Sequence, residues 1–145
     1  MFTDEIEKYL DGMKIPLRLS CVTDSGWPVG LSLWYLYEDG DFYCATQADA
    51  RVVDYLQQDP RCAFEVAGDQ PPYRGVRGQG TAVILPDQGL EMLNQLLMRY
   101  LGNVDNPLAQ KLLSRPTPEV ALRITPVNFT TWDFTQRMKK SLQSV

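Results

Sequence analysis

The stretch LRLSCVTDSGWPVGLSLWYLYEDGDFYCAT, residues 17–46, decides the fold. Leu17, Leu19 and Cys21 alternate with Arg18, Ser20 and Val22, as in a strand with one wet face. DSGWP is a turn signal, and VGLSLWYLY reads as a second strand with apolar side chains largely on both faces. EDGD then makes a hairpin turn, and FYCAT is a third strand. Two hairpins in succession form an antiparallel meander.

Outward from the meander, residues 3–12 predict a short amphipathic helix. Thr3 can cap it, Ile6, Tyr9 and Leu10 fall on one face, and Gly12 ends it. On the other side, residues 49–57 predict a helix stopped by Asp59-Pro60. RCAFEVAG is a fourth strand, DQPP a loop, and YRGVRGQGTAVIL a long fifth strand carrying three glycines. GLEMLNQLLMRYLG predicts a helix with Leu90, Leu93, Leu97 and Tyr100 along one face and Gly102 closing it. NPLAQKLLSRP predicts another short helix. EVALRITPVNFTTWDF is a sixth strand bending at Pro126, and a basic tail, RMKKSLQ, follows. The order predicts one domain, residues 1–145: mainly β with peripheral helices, as a six-stranded antiparallel barrel, closed or split.

Composition narrows the chemistry. Lys+Arg 14 against Asp+Glu 18 leaves a net charge of −4, which argues against non-specific nucleic-acid binding, since phosphate neutralisation drives it. No apolar run approaches membrane-spanning length and no basic, apolar leader is visible, so a cytoplasmic protein is expected. Cys21, Cys44 and Cys62 are widely spaced within apolar strands, without a CxxC pair, and are expected as buried free thiols. Histidine is absent. That removes Ser-His and Cys-His nucleophiles and histidine-ligated zinc or haem. The protein therefore binds something, or relies on a cofactor that carries the reactive group.

Three segments could carry that chemistry. At TQADARVVDYLQQDP, residues 46–60, a strand passes into a helix whose start attracts anions; Thr46 could donate its hydroxyl and Arg51 a guanidinium fork. On spacing alone, Asp49 as N-cap with Arg51 in solvent is the commoner arrangement. In YRGVRGQG, three glycines suggest bulges or a close approach, and Arg74 and Arg77 fall on opposite faces; bent-strand and binding roles both stand open. Trp34, Tyr35, Trp132 and Phe134 are large strand aromatics, for which core or subunit packing is commoner than ligand contact. Glu65 points away from Cys62, Phe64 and Val66, towards solvent or a partner among Arg74 and Arg77.

In order and spacing, the meander, Thr46-x4-Arg51-x4-Leu56-x3-Pro60, YRGVRGQG and the late strand reaching WDF resemble the pyridoxamine 5′-phosphate oxidase-like family of FMN-binding split β-barrels, over about residues 14–134. The resemblance implies a homodimer with two flavin sites at its interface and a small-molecule substrate. It implies Leu31, Ser32, Leu33 and Trp34 beside the flavin ring, Thr46 and Arg51 on the phosphate with help from Arg74 or Arg77, and Trp132 near the partner's site. The cofactor it implies is FMN, or a deazaflavin in a related subfamily, serving an oxidoreductase. Two positions depart from the pattern: Val52 stands where a lysine often follows the arginine, and Gly75 where a glutamine often precedes Val-Arg. The histidine-bearing substrate motif of true pyridoxamine phosphate oxidases is missing, as is any histidine ligand for haem. The departures leave a non-catalytic flavin binder, or a barrel without cofactor, as the alternative.

Overall fold

The computed structural model describes residues 2–143, with side chains through Lys139. In chain order the elements are α1 (Asp4–Gly12), β1 (Leu17–Val22), β2 (Pro28–Leu33), β3 (Leu36–Glu38), β4 (Asp41–Gln47), α2 (Arg51–Gln58), β5 (Arg61–Ala67), β6 (Arg74–Leu85), α3 (Gly89–Leu101), α4 (Pro107–Leu113), β7 (Glu119–Asp133) and α5 (Thr135–Gln143). The strands form one antiparallel sheet in the order β2-β1-β5-β6-β7-β4-β3. Its two edges, β2 and β3, are joined only by Trp34 and Tyr35. Three chain steps reach at most about 11 Å, so the sheet must curl until its edges meet. The result is the antiparallel split barrel.

The second predicted strand is two strands, which makes seven rather than six. Tyr35 causes the break. It is fully buried, its hydroxyl lies 2.6 Å from Leu10 O and 2.8 Å from Met13 O, and its amide donates to the Tyr100 hydroxyl at 3.1 Å. A residue whose amide is taken by a side chain cannot also serve a ladder. The same carbonyls terminate α1, and Arg99 of α3 adds donors to Leu10 O, Asp11 O and Met13 O. One arginine and one tyrosine thus satisfy the helix end that would otherwise be orphaned.

Other elements follow their local chemistry. The Thr3 hydroxyl accepts from Ile6 N at α1, and Asp39 (φ 51) with Gly40 (φ 89) builds the tight β3–β4 turn. Gly80 faces Pro126 while Gln79 faces Asn128, so Val127 is an extra residue bulging from β7 where the sequence predicts a bend. The inward stripe of α3 is Met92, Leu93, Leu96 and Leu97, whereas Leu90 is 61% exposed, a correction to the predicted face. The basic tail is part of α5.

Inside the barrel, Leu17, Leu19, Tyr35, Phe42, Val66, Val76, Leu122 and Ile124 form the core, and α1 and α2 close its ends. Helix α3 covers the opposite surface of β4 and β7, where Met92, Leu96 and Ala121 meet Trp34, Tyr43 and Ala45. Among the described residues, no helix covers the opposite surface of β1, β5 and the first half of β6; Arg18, Ser20, Arg77 and Gln79 are exposed there. No helix among the described residues is long and apolar enough to cross a membrane.

Candidate functional site

The β4–α2 junction starts a helix without a side-chain cap. β4 is paired by β3 only over Asp41–Tyr43, so from Cys44 to Gln47 it has just one ladder neighbour, β7. Thr46 lies on that half-paired stretch and is half-buried. The chain then turns into α2 with Ala50 as N-cap, and no side chain caps the helix. Asp49 does not fill that role; it is exposed, one residue too early. The amides of the first turn therefore carry their partial positive charge without a side-chain acceptor. Arg51 is the first helical residue, exposed and without an ion pair or side-chain hydrogen bond among the described residues. It borders a depression of about 460 Å³ with Asp24, Asp54, Tyr55, Gln57 and Gln58. Two carboxylates temper the local field, so an anion here depends on the guanidinium and the helix start together. Val52 faces inward, 6% exposed within the barrel core. A lysine at that position would start from the core side of the helix.

A second cluster occupies the uncovered surface of the sheet. Arg18, Ser20, Ala63, Glu65, Arg77, Gln79 and Thr130 line a cavity of about 430 Å³ across four neighbouring strands. Arg77 stands opposite Glu65 at 4.0 Å and its guanidinium lies 4.7 Å from the centre of the Trp132 ring. Arg18 donates to the Ser32 hydroxyl across the β1–β2 ladder at 2.7 Å. Trp132 in turn lies over Gly75: a β-carbon there would come within 2.6 Å of Trp132 Cζ2. The glycine that departs from the family pattern is thus what admits this indole.

Arg74 projects to the other side. It lies 4.5 Å from the Tyr9 ring centre and 3.9 Å from Asp133, bordering a cavity of about 350 Å³ between α1 and the ends of β6 and β7. Hydrogen bonds from the Thr135 hydroxyl and amide hold the Asp133 carboxyl below its ordinary range, with Arg74 adding a smaller pull. Burial pushes Tyr9 up.

The nine residues singled out in the sequence therefore fall into separate places within one chain. Thr46 and Arg51 share the β4–α2 junction. Arg77 and Trp132 meet on the uncovered surface, with Ser32 on the same side of the sheet. Leu31 and Leu33 are half-buried against the barrel core. Trp34 stacks on Tyr100 at 4.9 Å and 8°, beneath α3. Neither Arg74 nor Arg77 borders the Arg51 depression. Sequence reasoning passed over Arg18, Ser20, Gln79 and Thr130 as candidates, although the alternation of Arg18 and Ser20 with buried neighbours was their signal.

The sequence model of the pyridoxamine 5′-phosphate oxidase family matches residues 2–133. No curated protein matches the chain by sequence. Among solved structures, a conserved hypothetical protein from Mycobacterium tuberculosis is similar at TM-score 0.76 and 24% identity, over 95% of this chain and 88% of that one. An F420 reductase is similar at TM-score 0.72 and 21% identity, covering 89% of this chain and 98% of its own. A FAD-binding protein from Mesorhizobium loti is similar at TM-score 0.65 and 21% identity, covering 90% and 94%. At these identities the likenesses establish the split-barrel fold, and the match over residues 2–133 establishes kinship. The chain belongs to the pyridoxamine 5′-phosphate oxidase family.

Proposed function

We propose that the protein binds FMN and acts as a flavin-dependent oxidoreductase on a small molecule other than pyridoxamine phosphate, as a homodimer. The observation that carries this reading is the first turn of α2: no side chain caps it, and its leading residue, Arg51, has no ion pair or side-chain hydrogen bond among the described residues. Donors left in that state suit a phosphate. Thr46, at the end of β4, adds a hydroxyl. A bound flavin supplies the hydride or electron transfer that a chain without histidine leaves to a cofactor. The chain's own contribution is to hold the phosphate at Arg51 and to shield the ring along β2, where Leu31 and Leu33 are half-exposed. The uncovered sheet surface bearing Arg18, Arg77 and Trp132 is the face offered to a second copy. Likeness to a FAD-binding protein supports the cofactor class.

Titration with FMN, read by quenching of flavin fluorescence, tests the proposal. Binding is expected, and Arg51→Ala should weaken FMN by roughly tenfold to a hundredfold, the value of one charge-assisted contact of about 1.5–3 kcal/mol. Riboflavin, which lacks the phosphate, should be unaffected by the same substitution. Equal loss for both ligands would remove Arg51 from the phosphate site. No quenching below millimolar FMN would overturn the FMN reading. The F420 reductase likeness favours a deazaflavin as the second reading, distinguished by binding of F420 with rejection of FMN. Anaerobic bleaching of the bound flavin by NADH or NADPH supports catalysis, and a flavin that stays oxidised points to a carrier. A monomer by sedimentation would exclude the two-chain site.

A further inference from the structure

Cys21 of β1 and Cys62 of β5 stand directly opposite one another in the antiparallel ladder. Both point into the barrel, 2% and 7% exposed, and both are free thiols. Directly opposed residues in such a ladder have Cα atoms about 4.5 Å or about 5.5 Å apart, according to whether the pair exchanges backbone hydrogen bonds. Either spacing lies within the range of roughly 4.4–6.8 Å over which a disulfide closes without moving the backbone. Pro60 O accepts from Ala82 N at 2.8 Å, so by alternation Cys62 also directs its backbone groups at β6, and the Cys21–Cys62 pair is the closer, non-hydrogen-bonded kind that brings the β-carbons nearest. Cys44, the remaining cysteine, faces Leu122 across its own ladder and has no opposed thiol.

The pair also lies close to the ends of its two strands. Cys21 is the penultimate residue of β1 and Cys62 the second of β5, so fraying at one end of two strands exposes both. In the closed state Cys62 donates its thiol proton to Gly80 O at 3.5 Å. This end of the barrel carries the β1–β2 turn, and Asp24 of that turn borders the Arg51 depression.

We propose that Cys21 and Cys62 form a redox modification site, closing to an intrachain disulfide when the protein meets a low-molecular-weight disulfide oxidant. One cysteine loses its proton to solvent and its thiolate attacks a sulfur of the oxidant. The oxidant's S–S bond breaks, one thiol leaves, and a mixed disulfide remains. The second cysteine, deprotonated in turn, attacks the protein sulfur of that bond and expels the second thiol. Two protein thiols give up two electrons and one oxidant disulfide becomes two thiols. Burial holds Cys62 up at about 11 and raises Cys21 as well, so the native closed state contains little thiolate and the reaction waits on local opening.

The test is exposure of the reduced protein to excess oxidised glutathione, followed by denaturation, alkylation and peptide mapping. Alkylatable thiols should fall from three to one, with a Cys21–Cys62 linked peptide. The rate should rise with urea well below the unfolding midpoint. Cys44→Ala should leave the link intact and Cys21→Ala should abolish it. Wild-type mapping alone decides the matter if either variant folds poorly. Three persistent thiols, glutathione adducts without a link, or a link involving Cys44 would each overturn the proposal. None of these outcomes bears on FMN binding, so this inference and the cofactor reading stand or fall separately.

Discussion

A β-carbon at Gly75 would lie 2.6 Å from both Trp132 Cζ2 and Ala67 Cβ, so the indole and a side chain at this position exclude each other. Gly75→Gln, which restores the commoner family residue, should therefore displace Trp132 and its stacked Arg77. The expected cost is about 1–3 kcal/mol, the range for forcing atoms into a filled space. A lower urea midpoint with altered tryptophan emission checks it, and unchanged values for both would contradict the close approach. Resemblance alone made position 75 look like a loss; the structure shows the space beside it filled by an indole 57 residues further along the chain. The same holds at Val52. From the sequence it reads as a missing cation, but its side chain faces the core, where an apolar residue belongs. That Thr46 and Arg51 share one junction was legible, because both lie on one short segment whose strand-to-helix order local propensity describes. The meeting of Arg77, Glu65 and Trp132 was only partly legible, because it depends on the register among β5, β6 and β7.

At the scale of an element, α2 combines a bare N-terminus with a buried stripe of Val52, Val53 and Leu56 that anchors it on the barrel. Ala50→Asp supplies the absent cap. It should stabilise the fold by about 0.5–2 kcal/mol while weakening FMN, because the new carboxylate takes up first-turn amides and adds negative charge there. A raised melting temperature together with a raised FMN dissociation constant is the expected pair of results. Tighter FMN binding in this variant would place the phosphate elsewhere. Elements with strong local signals matched the sequence reading: Thr3 starts α1, Gly102 (φ 79) closes α3, and Pro126 marks the bend in β7. The break at Trp34-Tyr35 had no local signal. Both residues favour strands, and the cause is the pull of Leu10 O, Met13 O and the Tyr100 hydroxyl, which are distant in sequence. Leu90 misled for a related reason, since Met92 and Leu96 fit the 3.6-residue period equally well and contact with β7 selected them.

For the whole molecule, the absence of histidine shapes the response to pH. Burial pushes Cys44 up to about 12 and Cys62 to about 11, and raises Cys21, Tyr35 and Tyr100 in the same direction. In the unfolded chain thiols ionise near about 8.5 and tyrosines near about 10. The unfolded state thus releases protons that the folded state retains, so stability is complete below about pH 8 and falls as pH rises through about 9 to 12. On the acid side, hydrogen bonds from Arg61 hold Asp59 down at about 2. Its contribution is present above about pH 4 and is lost as pH falls towards 2. Without histidine, no side-chain type in the chain has an ordinary pKa between about 5 and 8. The urea midpoint should be level from about pH 5 to 8, and a slope across pH 6 to 7 would contradict this account.

β7 joins β6 to β4, and Phe42 meets Ile124, which lies 82 positions further along the chain. Bringing strands so far apart in sequence together carries a loop-closure cost that local hairpins do not. During synthesis the β1–β2 and β3–β4 hairpins leave the ribosome early, but β4 has to wait for the last strand before its interior side chains are enclosed. Until then Phe42 and Cys44 lie on a half-built surface. A message cut short before residue 119 would leave a meander with nothing to close it, open to proteolysis and to pairing with other chains.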